Sequence, residues 1–220
     1  MKIKLSLVSA LIAMASSANA AIVAVSNVST GLGDADALFE NVDGTLVSGG
    51  IVAMGYFGSN NPSGDIANIA ATIADFTTLS SGQLGSYSDS LEGSYPGYVE
   101  AANTDLGDLL AGNALIGKKL YAFVGNQSTL ASSTAYALYL IDTFVEEESG
   151  LGLTYLAQPF GITPLIGSID SITINSPLAA GTDGAPSTYT TLKLVAAVPE
   201  PSAALLGAIG ALGLLRRRRN

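Results

Sequence analysis

The chain ends in three parts that leave little choice in what its last residues become: Val198-Pro199-Glu200-Pro201, an apolar run from Ala203 to Leu215, and Arg216 to Arg219. Pro199 and Pro201 hold the backbone around Glu200 extended and prevent a helix from crossing it. Ser202 then offers a helix N-cap. Ser202 to Leu215 would make about 21 Å of helix at about 1.5 Å per residue. That is short of the roughly 20 residues of an ordinary membrane span, a deficit that arginine snorkelling or local bilayer thinning can cover. The four arginines beyond it stay cytoplasmic by the positive-inside rule. Residues 196–220 therefore read as a linker, a rigid polar motif, a transmembrane helix and a basic stop.

The other end agrees on topology. Lys2 and Lys4 precede an apolar core from Leu5 to Ala15, and Ala18-Asn19-Ala20 supplies an A-x-A site, so residues 1–20 read as a signal peptide cut between Ala20 and Ala21. Both ends start in the cytoplasm and the middle, residues 21–195, lies outside the inner membrane.

The tail resembles a PEP-CTERM sorting signal: Pro199-Glu200-Pro201, the Ala/Leu/Gly-rich helix and Arg216, Arg217, Arg218 and Arg219 stand in that family's order. The resemblance covers about the last 25 residues. It implies a Gram-negative bacterium that makes exopolysaccharide, and recognition by an exosortase, a membrane cysteine transpeptidase-like enzyme, at or near the Pro-Glu-Pro motif. It also implies an inner-membrane-anchored intermediate that ends at the cell surface or in the extracellular matrix.

Composition bounds the middle. The chain has no Cys, no His and no Trp. Disulfides, thiol and Ser-His-Asp chemistry and the usual zinc sites are excluded, so a core must hold the domain together. Between Ala21 and Val198 the only cations are Lys118, Lys119 and Lys193, against 17 Asp and Glu, a formal charge of 3 − 17 = −14. Such a surface repels nucleic acid, which is not an expected partner. No cofactor is called for.

Strand signals dominate the ectodomain. Ala21–Val28 is β-branched and apolar; Ala37–Val42 and Thr45–Val47 flank Asp43-Gly44, which predicts a type I′ hairpin; Ile51–Phe57 follows Gly49-Gly50. Ile66, Ile69, Ile73, Phe76 and Leu79 fall near helical spacing, predicting an amphipathic helix over 65–79 capped by Ser63 or Asp65, with Asn68, Thr72 and Asp75 on its outer face. Residues 82–97 read as a long loop and 99–110 as a second short helix. Lys119–Val124, Thr134–Ile141, Leu151–Ala157, Ser171–Asn175 and Tyr189–Val195 are further strands. The expected fold is mainly β, an antiparallel sandwich-like or α+β ectodomain of eight or nine strands.

Candidate ligand groups are few. Asp34-x-Asp36 and Asn103-x-Asp105-x-x-Asp108 are oxygen-rich and chemically suited to calcium, without the full EF-hand pattern; Asn103 also suits a helix cap. Tyr87, Tyr95 and Tyr98 offer sugar-stacking rings beside the acceptors Asp89 and Glu92, or they pack their loop onto the domain. Glu146-Glu147-Glu148 are adjacent and read as a solvated turn rather than a catalytic pair. No Gly-x-Ser-x-Gly or Walker loop occurs. The expectation is a non-catalytic surface protein associated with exopolysaccharide or biofilm; a carbohydrate-binding module or a carboxylate-based glycan hydrolase is the alternative.

Overall fold

A computed structural model of the protein describes residues 20–27, 37–85, 88–89, 93–94, 96–99, 103–147, 152–157, 162–174 and 187–197. In chain order its strands are β1 (Ile22–Ala24), β2 (Ala37–Glu40), β3 (Ile51–Phe57), β4 (Phe76–Gln83), β5 (Ser88–Asp89), β6 (Gly93–Ser94), β7 (Thr104–Asp105), β8 (Lys119–Gly125), β9 (Ala135–Thr143), β10 (Thr154–Leu156), β11 (Ser168–Ile174), β12 (Ser187–Lys193) and β13 (Val195–Ala196). A 3-10 turn over Ile66–Asn68 runs into the one α-helix of the described residues, α1 (Ile69–Asp75).

The centre is a five-stranded antiparallel sheet in the order β13-β9-β8-β3-β4. Its middle strands are buried on both faces, which is why β8 reads as the unbroken run Leu-Tyr-Ala-Phe-Val rather than as an alternation. Successive side chains of a strand point to opposite faces. Leu120, Ala122 and Val124 therefore enter one hydrophobic cluster, while Tyr121 and Phe123 enter another. The first cluster joins Val52, Met54 and Tyr139 of the central sheet to Val23 of β1, Tyr155 of β10, Phe39 of β2 and Leu192 of β12. The second is aromatic, with Phe57, Tyr121, Phe123 and Tyr136, and is flanked by Ile66, Ile69, Ile73 and Phe76.

Two three-stranded sheets, β10-β1-β7 and β11-β12-β2, supply the far side of the first cluster. Each contains a parallel pair, β1 with β10 and β2 with β12, so the fold is mainly but not wholly antiparallel. The mainly β expectation holds at this level, with more and shorter strands than the sequence pattern suggests.

Several local expectations are corrected. The helix stops at Asp75, not residue 79. Phe76 to Gln83 instead pairs antiparallel with β3, where the β-branched and aromatic run Phe-Thr-Thr favours a strand. Asp75 closes that hairpin: its Oδ2 accepts from the Ser59 amide at 3.2 Å and the Ser59 hydroxyl at 2.7 Å. Asp65 is the cap, accepting from Ala67 N at 2.9 Å. Ile66, Ile69 and Ile73 do face the sheet, but half-buried, and Thr72 is buried rather than outward, donating back to the Asn68 carbonyl. Leu79 belongs to β4 and packs against the first cluster. The register of β3 on β4 shifts at Met54/Gly55, and Gly55 lies so close to the Thr77 carbonyl that a Cβ there would stand 2.0 Å from it.

The β2 turn is not type I′. Gly44 N donates to Asn41 O at 3.1 Å, Asn41 N to Thr45 O at 2.7 Å, and of the turn residues only Gly44 has positive φ, at 87°. This is a type I turn followed by a left-handed glycine, the three-residue hairpin. Asp43 stabilises it by accepting from the amide and hydroxyl of Thr45, bonds that hold its carboxyl below the ordinary value. The second helix is absent from the described part of 99–110. Thr104–Asp105 is instead a strand beside β1, and the Asp105 carboxylate turns the chain by accepting from Gly107 N at 2.7 Å. Ala196, expected in the linker, pairs with Ala135, and Ala197 N donates to Thr134 O, so the fold runs to residue 197.

Candidate functional site

The ionisable side chains fall into three groups. The first surrounds Glu40 at the end of β2. The parallel register places Glu40 opposite Lys193, and Asp170 is opposite Thr191 on the next strand. Glu40 is buried; its Oε1 lies 2.8 Å from Lys193 Nζ, and its Oε2 accepts from the Thr191 hydroxyl at 2.7 Å. Asp170 Oδ2 adds a longer contact to the same ammonium at 3.5 Å. The Glu40 carboxylate, assisted by Asp170, raises the Lys193 pKa. Both oxygens of the buried carboxylate are engaged, as burial of a charge demands.

The second group is Glu147. It is buried, with Oε2 accepting from Leu109 N at 3.2 Å and Oε1 from Leu153 N at 3.3 Å, while its own amide donates to Leu109 O. This corrects the solvated-turn reading of Glu146-Glu147-Glu148: Glu146 is exposed, Glu147 braces two chain segments, and Glu148 lies outside the described residues. The reason is alternation, since neighbouring side chains point opposite ways.

The third group is a cationic corner that pattern reading passed over. Lys118 Nζ lies 4.2 Å from the centroid of the Tyr56 ring. Lys119 Nζ donates to Asn61 Oδ1 at 2.9 Å, and its amide to Asn60 Oδ1 at 3.0 Å. Asn60 has φ 58°, the one non-glycine residue with positive φ among those described, a conformation asparagine tolerates. The adjacent Asn60-Asn61 was the available signal. All three ectodomain lysines thus have partners within the domain.

Of the sequence-derived oxygen clusters, Asp34 and Asp36 lie outside the described residues. Asn103, Asp105 and Asp108 are exposed; Asp105 is used in its own turn, and the Asp108 carbonyl accepts from Asn113 Nδ2. Among the described residues no three acidic side chains converge as metal ligands would. Tyr98 is buried, with 1% of its surface exposed, in agreement with packing rather than stacking on sugar; Tyr87, Tyr95 and Glu92 lie outside the described residues. The other buried tyrosines serve the frame: Tyr139 donates to Ala157 O at 2.8 Å and Tyr136 to the carbonyls of Leu130 and Ser133. Burial pushes both phenols up. A shallow cleft of about 380 Å³ opens between the β2 turn and the exit of β13, lined by Asn41, Asp43, Asn126 and Thr134.

Ala20 and Ala21, on either side of the expected signal cut, are both buried at the start of β1; Ala18 lies outside the described residues, as do Pro199, Glu200, Pro201 and Arg216 to Arg219. Among the described residues no helix is long and apolar enough to cross a membrane; the expected spanning segment, 202–215, is not among them. No family model, no curated protein and no solved structure matches this chain.

Proposed function

We propose that this is a non-catalytic exported protein, a sandwich-like β domain carried out by residues 1–20, held by the helix 202–215, and sorted through Pro199-Glu200-Pro201 by an exosortase to the cell surface or exopolysaccharide matrix. The observation that carries this reading is the order of parts at the two ends of the sequence. Neither end alone is as specific as both pointing the middle outward.

The domain's chemistry supports it. Its two buried carboxylates, Glu40 and Glu147, are occupied by a lysine, a hydroxyl and backbone amides, which is bracing and not general acid–base geometry. The spacing of the tail adds a constraint. The last described residue, Ala197, is still bonded to the domain, so only residues 198–201 separate it from the apolar helix. Four extended residues reach at most about 14 Å. The sorting enzyme would meet its motif in a narrow gap between domain and bilayer.

The test compares the mass and fractionation of wild type, Glu200→Ala and a variant with all four arginines neutralised. Glu200→Ala should insert normally but stay attached, and loss of the arginines should weaken retention before processing, because each buried guanidinium costs several kcal/mol. A Glu200→Ala protein trimmed and released like wild type would reduce the tail to a plain anchor.

A further inference from the structure

The start of β1 lies inside the fold. Ala21 has no exposed surface and Ala20 only 7%. On one side Ala21 N donates to Gly107 O at 3.0 Å and Ala21 O accepts from Leu106 N at 2.8 Å; on the other, Ile22 N donates to Leu153 O at 2.7 Å. The Ala20 carbonyl lies against Gly152, where a Cβ would stand 3.1 Å from it. Glu147 clamps both flanks of this end of the sheet, since Leu109 follows Gly107 by two residues and Leu153 is the residue that receives Ile22. The Ala20–Ala21 peptide bond is therefore the middle of a three-chain layer, while a protease needs its substrate extended and free on both edges.

We propose that signal cleavage and docking of β1 are mutually exclusive in one order: the bond is cut before β1 enters its sheet, and the folded domain thereafter encloses the new amino terminus. The inference rests on the export reading above and concerns its timing. In the cut, water adds its hydroxyl to the Ala20 carbonyl carbon and a hydrogen to the Ala21 nitrogen as the C–N bond breaks. The amine then takes a second proton from solvent at neutral pH. The resulting ammonium takes the place of the amide, donating to the Gly107 carbonyl. The buried Glu147 carboxylate at the same end of the sheet supplies charge of opposite sign, so the seat suits a cation better than its burial alone would allow. A chain that folded first would carry its signal peptide permanently, because the site would open only as often as β1 undocks.

The experiment presents a purified bacterial signal peptidase, in detergent micelles, with three substrates: the full-length chain refolded before exposure, the full-length Val23→Asp variant, whose β1 cannot dock because it would bury a charge in the first cluster, and a peptide of residues 1–30. The variant and the peptide should be cut after Ala20, and the refolded wild type at least about tenfold more slowly, since cleavage follows the population of the open form. Equal cutting of refolded wild type and variant overturns the proposal. Failure to cut even the peptide after Ala20 overturns the export reading instead. A second measurement does not depend on the variant: in protein beginning at Ala21, cyanate should carbamylate the α-amine at least about tenfold more slowly when folded than when unfolded in urea. Equal rates would show the terminus free in solvent and sink the idea.

Discussion

The two hydrophobic clusters on either face of the central sheet are built differently. The first is largely aliphatic and assembled from the whole described length, from Ala21 to Leu194. The second is aromatic and mostly local: apart from Ile166 its buried members fall between Ala53 and Leu138, in hairpins adjacent along the chain. Its rings interlock, Phe57 against Tyr121 at 5.1 Å and Phe76 against Phe123 at 5.5 Å between centroids, both edge to face. Local contacts close short loops and form early, and distant ones must wait for the chain. The second cluster can thus organise β3, α1, β4, β8 and β9 while the first still lacks β1 and β12. That difference gives the signal sequence time to be removed before β1 is needed.

The largest effects should come from breaking each cluster once. Phe123→Ala, at a side chain in ring contact with Phe57, Phe76 and Tyr136, should cost about 3 to 5 kcal/mol. Leu192→Ala, fully buried in the first cluster, should cost about 2 to 5 kcal/mol. Urea unfolding of both and of the double variant tests whether the faces are separate. Costs that add within about 0.5 kcal/mol mean independent clusters, and a larger coupling means the sheet transmits strain between them.

The parts legible in the sequence are those whose signal is their own. Ile51–Phe57 and the β8 run announce themselves by apolar content, and Asp65 announces the helix start. What the sequence concealed depends on partners far along the chain. Phe76 and Leu79 fit helical spacing as well as the strand they occupy, and only pairing with β3 decides between them. Strands of two or three residues, such as β1, β7 and β13, exist because a neighbour bonds to them. Glu147 looks like one of three surface glutamates until Leu109 and Leu153 arrive from 38 and 6 residues away. The same holds for Glu40, whose hydroxyl partner is 151 residues distant.

A middle-sized effect should come from that buried carboxylate. Thr191→Val keeps the shape and removes the hydrogen bond to Glu40 Oε2, leaving that oxygen short of a donor in a buried place. The expected loss is about 1 to 3 kcal/mol. A smaller change would mean that water replaces the hydroxyl, and that the edge of the first cluster is less dry than its centre. Ile73→Ala should be milder still. The side chain is only half-buried against the second cluster, so about 1 kcal/mol is expected. A cost near that of Phe123→Ala would show the helix to be as integral to the second face as the rings are.

The smallest effect concerns the hairpin that carries the helix, and it is read against pH. The Ser59 hydroxyl and amide, then the Gly58 amide, hold the Asp75 carboxyl below its ordinary value, although the group is exposed. A carboxyl whose folded pKa is depressed stabilises the protein above its unfolded pKa. That contribution fades as pH falls through the folded pKa. Wild type should therefore lose slightly more stability than Asp75→Asn between about pH 5 and pH 2, where unperturbed aspartates titrate. At neutral pH the variant should be the less stable of the two, because the amide accepts more weakly than the carboxylate from both Ser59 donors. The check is the difference in urea midpoint between the two proteins at each pH. It should shrink steadily on acidification and change little with salt, since hydrogen bonds and not a distant cation hold the group. A difference independent of pH would mean that Asp75 acts only as a helix-end residue and that the bonds to Ser59 do not close the hairpin.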